Sequence, residues 1–443
     1  MPIGGGVFTI QNKVLPGAYI NFVALGTRIV TGSRGVAALP VALNWGPDSK
    51  IITIDAGDFN KQSMALFGYD PTAPELLLIR EAFKRAKTLK LYRINGAGGS
   101  AAKATKTIGG ITVTAKYNGT RGNDIKILIQ TNVDDETKKD VITYLGTVEV
   151  DRQTVVNASE LVANDYVTFG SGTLTNAAAT ALAGGANGTE DGSAHADFLS
   201  KIEVEEFNTI GYPGTDATTK GLYEAFVKRL RDSEGKKIVG VLYNKSSDYE
   251  GIINVKNGVI LEDGTVVTGD KAVAWVAGAT AAAEINQSLT NTAYDGAVDV
   301  DIRYTKSQYE AAIKAGEFVF YGEAGKARVL ADINSLTTFT EAKSQDFTSN
   351  RVIRVLDGWA NDVAAIFGRS YLGTVTNSDT GRQLFKGDLV ALANQYQAAD
   401  AISDFVPDDI EVVQGIGKRD VQVAAALKPN DSMEKLYMVV SIQ

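Results

Sequence analysis

His195 is the only histidine in the chain, and it sits between Asp191 and Asp197 with Ser193 close by. An imidazole beside a hydroxyl and a carboxylate is the material of acyl transfer, with histidine as general base and the carboxylate orienting it. Such triads are assembled from distant segments, and neighbours in a glycine-rich loop seldom reach the required geometry. His195 therefore reads as a solvated interdomain residue. Two glycine-rich runs invite a phosphate-binding reading. Gly322, Gly325 and Lys326 lack both the P-loop spacing and the Ser/Thr that holds Mg²⁺, and Gly415, Gly417 and Lys418 have no third glycine in register; both read as turns. Asp134, Asp135 and Glu136 precede Lys138 and Lys139 as a charged hairpin tip, and Asp295, Asp299 and Asp301 lack EF-hand spacing. No catalytic, cofactor-binding or metal-binding residue is expected, and no cofactor. The run Asp404, Asp408, Asp409 and Glu411 differs in context: 12 acidic and 7 basic residues lie between 356 and 443, so this fifth of the chain carries −5 of the net −8. Such an imbalance fits an acidic solvated face, and a docking surface is the alternative.

The elements that would position these residues start from 443 amino acids, about three domains' worth, with 44% apolar and 22% charged residues. The absence of cysteine removes disulfides, thiol nucleophiles and Cys-ligated metal centres. One histidine cannot build a His-pair metal site. The net charge argues against nucleic acid as a partner, because phosphate contacts need clustered Lys and Arg. The longest apolar helix candidate, residues 272–283, falls short of the roughly 20 residues of a membrane span and reads as a buried helix. The N-terminus shows no basic region leading into an apolar one, so no secretory signal is expected.

Residues 36–43, 51–54 and 89–94 read as strands, with a helix opening at Pro74 and a Leu76, Ile79, Phe83, Ala86 face. From 103 to about 192 the pattern is strands only. Ile111, Val113, Ala115 and Tyr117 alternate with polar residues, and Asn118-Gly119 predicts a hairpin. Helix–strand alternation resumes at Phe198, with a helix ending near Asp232, a strand at 237–243, and a Ser307/Glu310 capping box before the strand 318–321. Phe385, Leu389, Leu392 and Tyr396 mark a late amphipathic helix. Two strands have nothing local to pair with: residues 18–25, carrying Ala18, Tyr19, Ile20, Phe22 and Val23, and residues 435–442, carrying Leu436, Tyr437, Met438, Val439 and Val440. The expected fold class is mixed α/β: a layered α/β core, an inserted β-sandwich, an α+β C-terminal domain and extended arms. The expected boundaries are an N-terminal arm (1–25), core (26–100), insertion (101–195), core (196–355), C-terminal domain (356–431) and C-terminal arm (432–443).

Several stretches resemble contractile phage tail sheath proteins of Gram-positive phages and phage-like particles. They include Pro16-Gly17-Ala18-Tyr19, the run from Arg34 to Pro47, Trp275 to Asn286 with Ser288 to Asn291, Ile333 to Thr338 and Asn350 to Asp357. Later come Gly381-Arg382, Asp409 to Val412 and Met433 to Met438; within the insertion, Tyr117 to Asp124 and Leu182 to Gly185 match more weakly. The resemblance implies a non-catalytic, subtilisin-like core and six-subunit rings stacked around a tail tube, which contract to drive the tube through the host envelope for genome delivery. It implies arms that add strands to neighbouring subunits, with residues 18–23 and 436–440 as the donated strands. It further implies a tube-facing C-terminal domain, where Asp404, Asp408, Asp409 and Glu411 are expected at the contact. Implied partners are other copies of the chain, the tube protein, and baseplate and terminator proteins at the two ends. The implied location is the virion tail, assembled in the host cytoplasm, with no membrane insertion and no bound nucleic acid. A bacteriocin-type particle would use nearly the same subunit, and an α/β hydrolase is the distant alternative.

Overall fold

The computed structural model describes Gly4–Gly6, Gly17–Tyr19 and residues 34–441. Eight α-helices lie among them: α1 (Ala56–Phe67), α2 (Leu77–Phe83), α3 (Gly192–Ile202), α4 (Ala217–Asp232), α5 (Gly269–Ala282), α6 (Lys306–Lys314), α7 (Asn350–Ile366) and α8 (Asp379–Ala398). The core is a seven-stranded sheet in the order Glu317–Phe318, Ile252–Val255, Val239–Tyr243, Thr209–Tyr212, Val36–Val41, Thr88–Arg93, Ile51–Asp55. All neighbours pair parallel except the last, which is antiparallel. Parallel strands covered on both faces need continuous apolar runs rather than alternation. Val36–Val41 shows this, with Ala37 and Leu39 packing on the face of α2 and α5 and Ala38 on that of α3 and α4.

Helix α5 is the centre of the molecule. It is apolar on every side, as a fully enclosed helix must be, and Ala272 through Ala281 are buried throughout. Its small residues allow close approach. A Cβ on Gly278 would stand 2.4 Å from the Ala82 carbonyl oxygen of α2, and one on Gly211 of the sheet would stand 2.7 Å from Leu39 and 3.1 Å from Val273.

The inserted sandwich consists of a four-stranded sheet (Val148–Val155, Lys139–Leu145, Ile125–Thr131, Ala177–Ala181) facing a three-stranded one (Val167–Gly172, Ile111–Asn118, Lys103–Ile108). Ile111, Val113, Ala115, Ile125, Ile127 and Ile129 point into one core. Asn118-Gly119 is not a hairpin: the strands before and after it belong to different sheets. Gly119, at φ 127°, lets the crossing chain lie against the core, where a Cβ would stand 2.1 Å from the Asn44 carbonyl oxygen. The hairpin of this region is instead turned by Gly109 and Gly110, both at positive φ. The insertion's two joints pair with each other through Ala102 and Ala186. Trp45 is fully buried between core and sandwich, 5.2 Å from the Tyr117 ring and 6.4 Å from Tyr166.

Three local expectations are corrected. The capping box of α6 is formed by Thr305 and Gln308, with the side chain of each bonded to the other's backbone, not by Ser307 and Glu310. Asp191–Asp197 is not a loop: the Asp191 carboxylate accepts from the Ser193 and Ala194 amides and caps α3. His195 is consequently 2% exposed rather than solvated, its Nδ1 lying 3.0 Å from the Tyr223 hydroxyl. The C-terminal part packs α7, a π-helical turn (Phe367–Tyr371), α8 and the hairpin Ile410–Gln414/Val421–Ala425 around Phe385, Leu389, Leu392 and Tyr396. Helix α7 runs unbroken through residues 355 and 356, where the sequence places a boundary.

Candidate assembly surfaces

The C-terminal segment leaves the body at Asn430, whose amide donates to the Ala401 carbonyl at 2.9 Å. Beyond it the described residues 433–441 form no strand and no backbone hydrogen bond with any other described residue. One side-chain contact holds the segment near the core, from the Thr290 hydroxyl to Glu434 at 2.7 Å. Leu436, Tyr437, Met438, Val439 and Val440 are 72–93% exposed. Five consecutive large apolar side chains with an unpaired backbone form an edge liability that soluble proteins normally cover. The strand expected at 435–442 is therefore absent from the isolated chain as far as Ser441, and Ile442 lies outside the described residues. At the other end Ala18 and Tyr19 do have a local partner, since Gly17–Tyr19 pairs in parallel with Gly4–Gly6. Ile20, Phe22 and Val23 lie outside the described residues.

The hairpin Ile410–Gln414/Val421–Ala425 is a two-stranded sheet, so each strand has one edge with no strand partner among the described residues. Ile410 and Val412 are buried against the body, while Val413, Ile416 and Val423 are exposed on the outside. The turn between the strands holds Gly415, Gly417 and Lys418, whereas Gly322 and Lys326 lie on the paired strands Phe320–Glu323 and Lys326–Val329 and only Gly325 lies in their turn; neither is a phosphate loop. The acidic run lies just before the hairpin. Asp404 and Asp408 are exposed, Asp404 pairs with Lys428 at 2.5 Å, Asp409 accepts from the Val406 amide at 2.9 Å, and Glu411 points outward from the strand. Asp404 and Asp409 are thus partly engaged within the chain, and Asp408 and Glu411 are the more available charges.

The remaining chemical candidates have structural occupations. Asp295 holds Arg85 through two contacts of 2.6 and 3.0 Å and accepts from the Trp275 indole at 2.9 Å. Asp299 pairs with Arg303 at 2.5 Å, and Asp301 accepts the Gly258 amide at 2.8 Å. No group of three potential metal ligands occurs among the described residues. Sequence reasoning missed the buried ionic joint between core and C-terminal part. Arg231 of α4 holds Asp357 of α7 bidentately at 2.6 and 2.8 Å, and Arg354 reaches Asp332 at 3.4 Å. The signal was in the run Asn350 to Asp357, where Arg354 and Asp357 lie one helical turn apart among apolar residues.

A three-layer α/β core, an inserted β-sandwich and an exposed apolar terminal segment with no backbone partner among the described residues together make up the chain. Family comparisons agree along most of the chain. Residues 34–94 match the tail sheath protein Gp18 domain III N-terminal region, 97–187 the phage tail sheath β-sandwich domain, 172–335 its central domain and 342–443 its C-terminal domain. The chain belongs to the phage tail sheath protein family, whose members are structural subunits of contractile injection systems. It is 40% identical over 99% of its length to the phage-like element PBSX protein XkdK of Bacillus subtilis, covering all of that protein. The sheath tail protein of Desulfitobacterium hafniense superposes with a TM-score of 0.85 at 47% identity, over 95% of this chain and 99% of that one. The anti-feeding prophage helical sheath in its contracted state shares the fold at a TM-score of 0.55 and 14% identity, over 96% and 99% of the two chains.

Proposed function

We propose that this chain polymerises as stacked six-subunit rings around a tail tube and contracts to drive the tube through the host envelope, delivering a phage genome. The observation that carries the reading is the exposed apolar run Leu436 to Val440, which has no backbone partner among the described residues. An added strand would satisfy its backbone groups, and the unpaired edges of the hairpin Ile410–Gln414/Val421–Ala425 on a neighbouring copy are suitable acceptors. Residues 1–33 contain Lys13 and Arg28 and no carboxylate, so an N-terminal strand through residues 18–23 would suit the same acidic neighbourhood. The likeness to a helical sheath in its contracted state supports contraction, and the likeness to a phage-like element protein supports a second reading, a non-viral contractile particle. Baseplate and terminator proteins would cap the polymer's two ends, and assembly would take place in the host cytoplasm before the sheath joins the virion. Electron microscopy of the purified full chain is expected to show hollow striated tubes with six-fold end views; a monomer at every concentration and salt would overturn the reading.

Within that polymer the C-terminal domain would face the tube through Asp404, Asp408, Asp409 and Glu411. Exposed charge contacts contribute only about 0.2–1 kcal/mol each and weaken with salt, so they can be released ring by ring. Reversing Asp404 and Asp408 to Lys is expected to impair assembly on the tube while leaving tube-free polymers intact. Undiminished co-assembly of the double variant across a salt series would show these carboxylates to be only a solvated face.

A further inference from the structure

Where α7 meets the end of α5 and the start of the core sheet, three cationic side chains, Arg34, Lys237 and Arg354, line one cavity with a single carboxylate, Asp357. Arg34, Arg231 and Arg354 converge there with two carboxylates, Asp332 and Asp357. Asp357 has both oxygens engaged by Arg231, and Asp332 accepts from Arg354, from the Asn350 side chain at 2.9 Å and from the Leu289 amide at 2.9 Å. Arg34 has no carboxylate in ion-pair contact among the described residues; its guanidinium donates to the carbonyls of Ala283 at 2.9 Å and Thr280 at 3.2 Å. Glu284, the other nearby acid, is exposed and pairs with Lys87 at 3.9 Å. Burial, reinforced by Arg354, pushes the Arg34 guanidinium down to about 10.

Arg34, Arg354 and Asp357 line a cavity of about 20 Å³ together with Lys237, Asn208 and Thr280. Two of its buried side-chain atoms have no hydrogen-bond partner among the described residues, the Thr280 hydroxyl and the Arg354 Nε, and both can donate. Unpaired buried donors beside excess positive charge are costly unless an acceptor carrying negative charge is present. The chain's own N-terminal segment cannot provide one, because residues 1–33 hold no Asp or Glu. The volume admits one water-sized species, which excludes sulfate and phosphate.

We propose that this cavity is a halide site, holding one chloride between Arg34, Arg354 and the Thr280 hydroxyl and thereby fastening α7 to the core. The ion would offset the excess charge without the bulk of a carboxylate side chain. It would stabilise the folded chain by mass action, since the unfolded chain has no such cluster.

The test is thermal unfolding of the full chain in sodium chloride, sodium bromide and sodium gluconate at matched ionic strength, paired with crystals grown in bromide. The expected results are a saturable rise in melting temperature with either halide, none with gluconate, and an anomalous bromide peak in the cavity. Thr280→Val, which keeps the side-chain volume, is expected to raise the half-effect chloride concentration at least tenfold while leaving melting in gluconate nearly unchanged. Identical melting in chloride and gluconate, or a cavity holding only water in bromide crystals, would overturn the proposal.

Discussion

His195 shows how one residue's role turns on its surroundings. Its ring lies edge-on to Tyr212 and Tyr223 at 5.1 and 5.7 Å, and burial pushes its imidazole below the usual histidine range, with Asp191 and Asp216 opposing the shift. The unfolded chain would protonate first, near its ordinary value of about 6.5. The stability due to a neutral His195 is therefore fully present above that pH and is lost as pH falls beneath it. Because the chain has one histidine, a single imidazole signal in an NMR titration reads this directly. A midpoint below 6.5 is expected, and a midpoint at or above it would contradict the buried neutral ring. Residue types alone misplace this side chain, because Asp191 reads as loop polarity whereas it caps a helix. A cap and a loop differ only in where the next residues' amides point, and residue type alone does not record that.

At the scale of elements, strong apolar patterns were legible and chain crossings were not. The buried helix at 272–283, the amphipathic face Phe385, Leu389, Leu392 and Tyr396, and the core strands follow directly from which residues must avoid water. The Asn118-Gly119 signal failed because a glycine at positive φ suits a sheet-to-sheet crossing as well as a hairpin, and the deciding contact, Asn44, lies 75 positions away. Gly278 separates local preference from packing in the same way. Alanine is favoured over glycine within a helix by about 1 kcal/mol. At Gly278, however, the added Cβ would meet a backbone carbonyl at 2.4 Å, and overpacking of a fixed neighbour costs roughly 1–3 kcal/mol. Gly278→Ala is thus expected to lower the urea unfolding midpoint of the full chain; an unchanged or higher midpoint would mean that α2 can move aside.

For the whole molecule, the body explains its own stability and the ends do not. The insertion is tied to the core by Trp45 and by Arg93, whose guanidinium donates to the carbonyls of Leu43, Gly46 and Asn118 at 2.8–3.0 Å. Its joints are adjacent, yet removing it would strip the cover from a fully buried tryptophan. The C-terminal segment is the reverse case, with little inside the chain depending on it. The sequence proposes a strand at 435–442 that the described residues do not form, and in the proposed assembly its partner belongs to another copy. The most direct test of strand exchange is electron microscopy of a chain lacking residues 432–443, under conditions in which the full chain forms tubes. A folded, soluble monomer with the full chain's core circular dichroism and no tubes is expected. Tubes of normal diameter and striation from the truncated chain would contradict it.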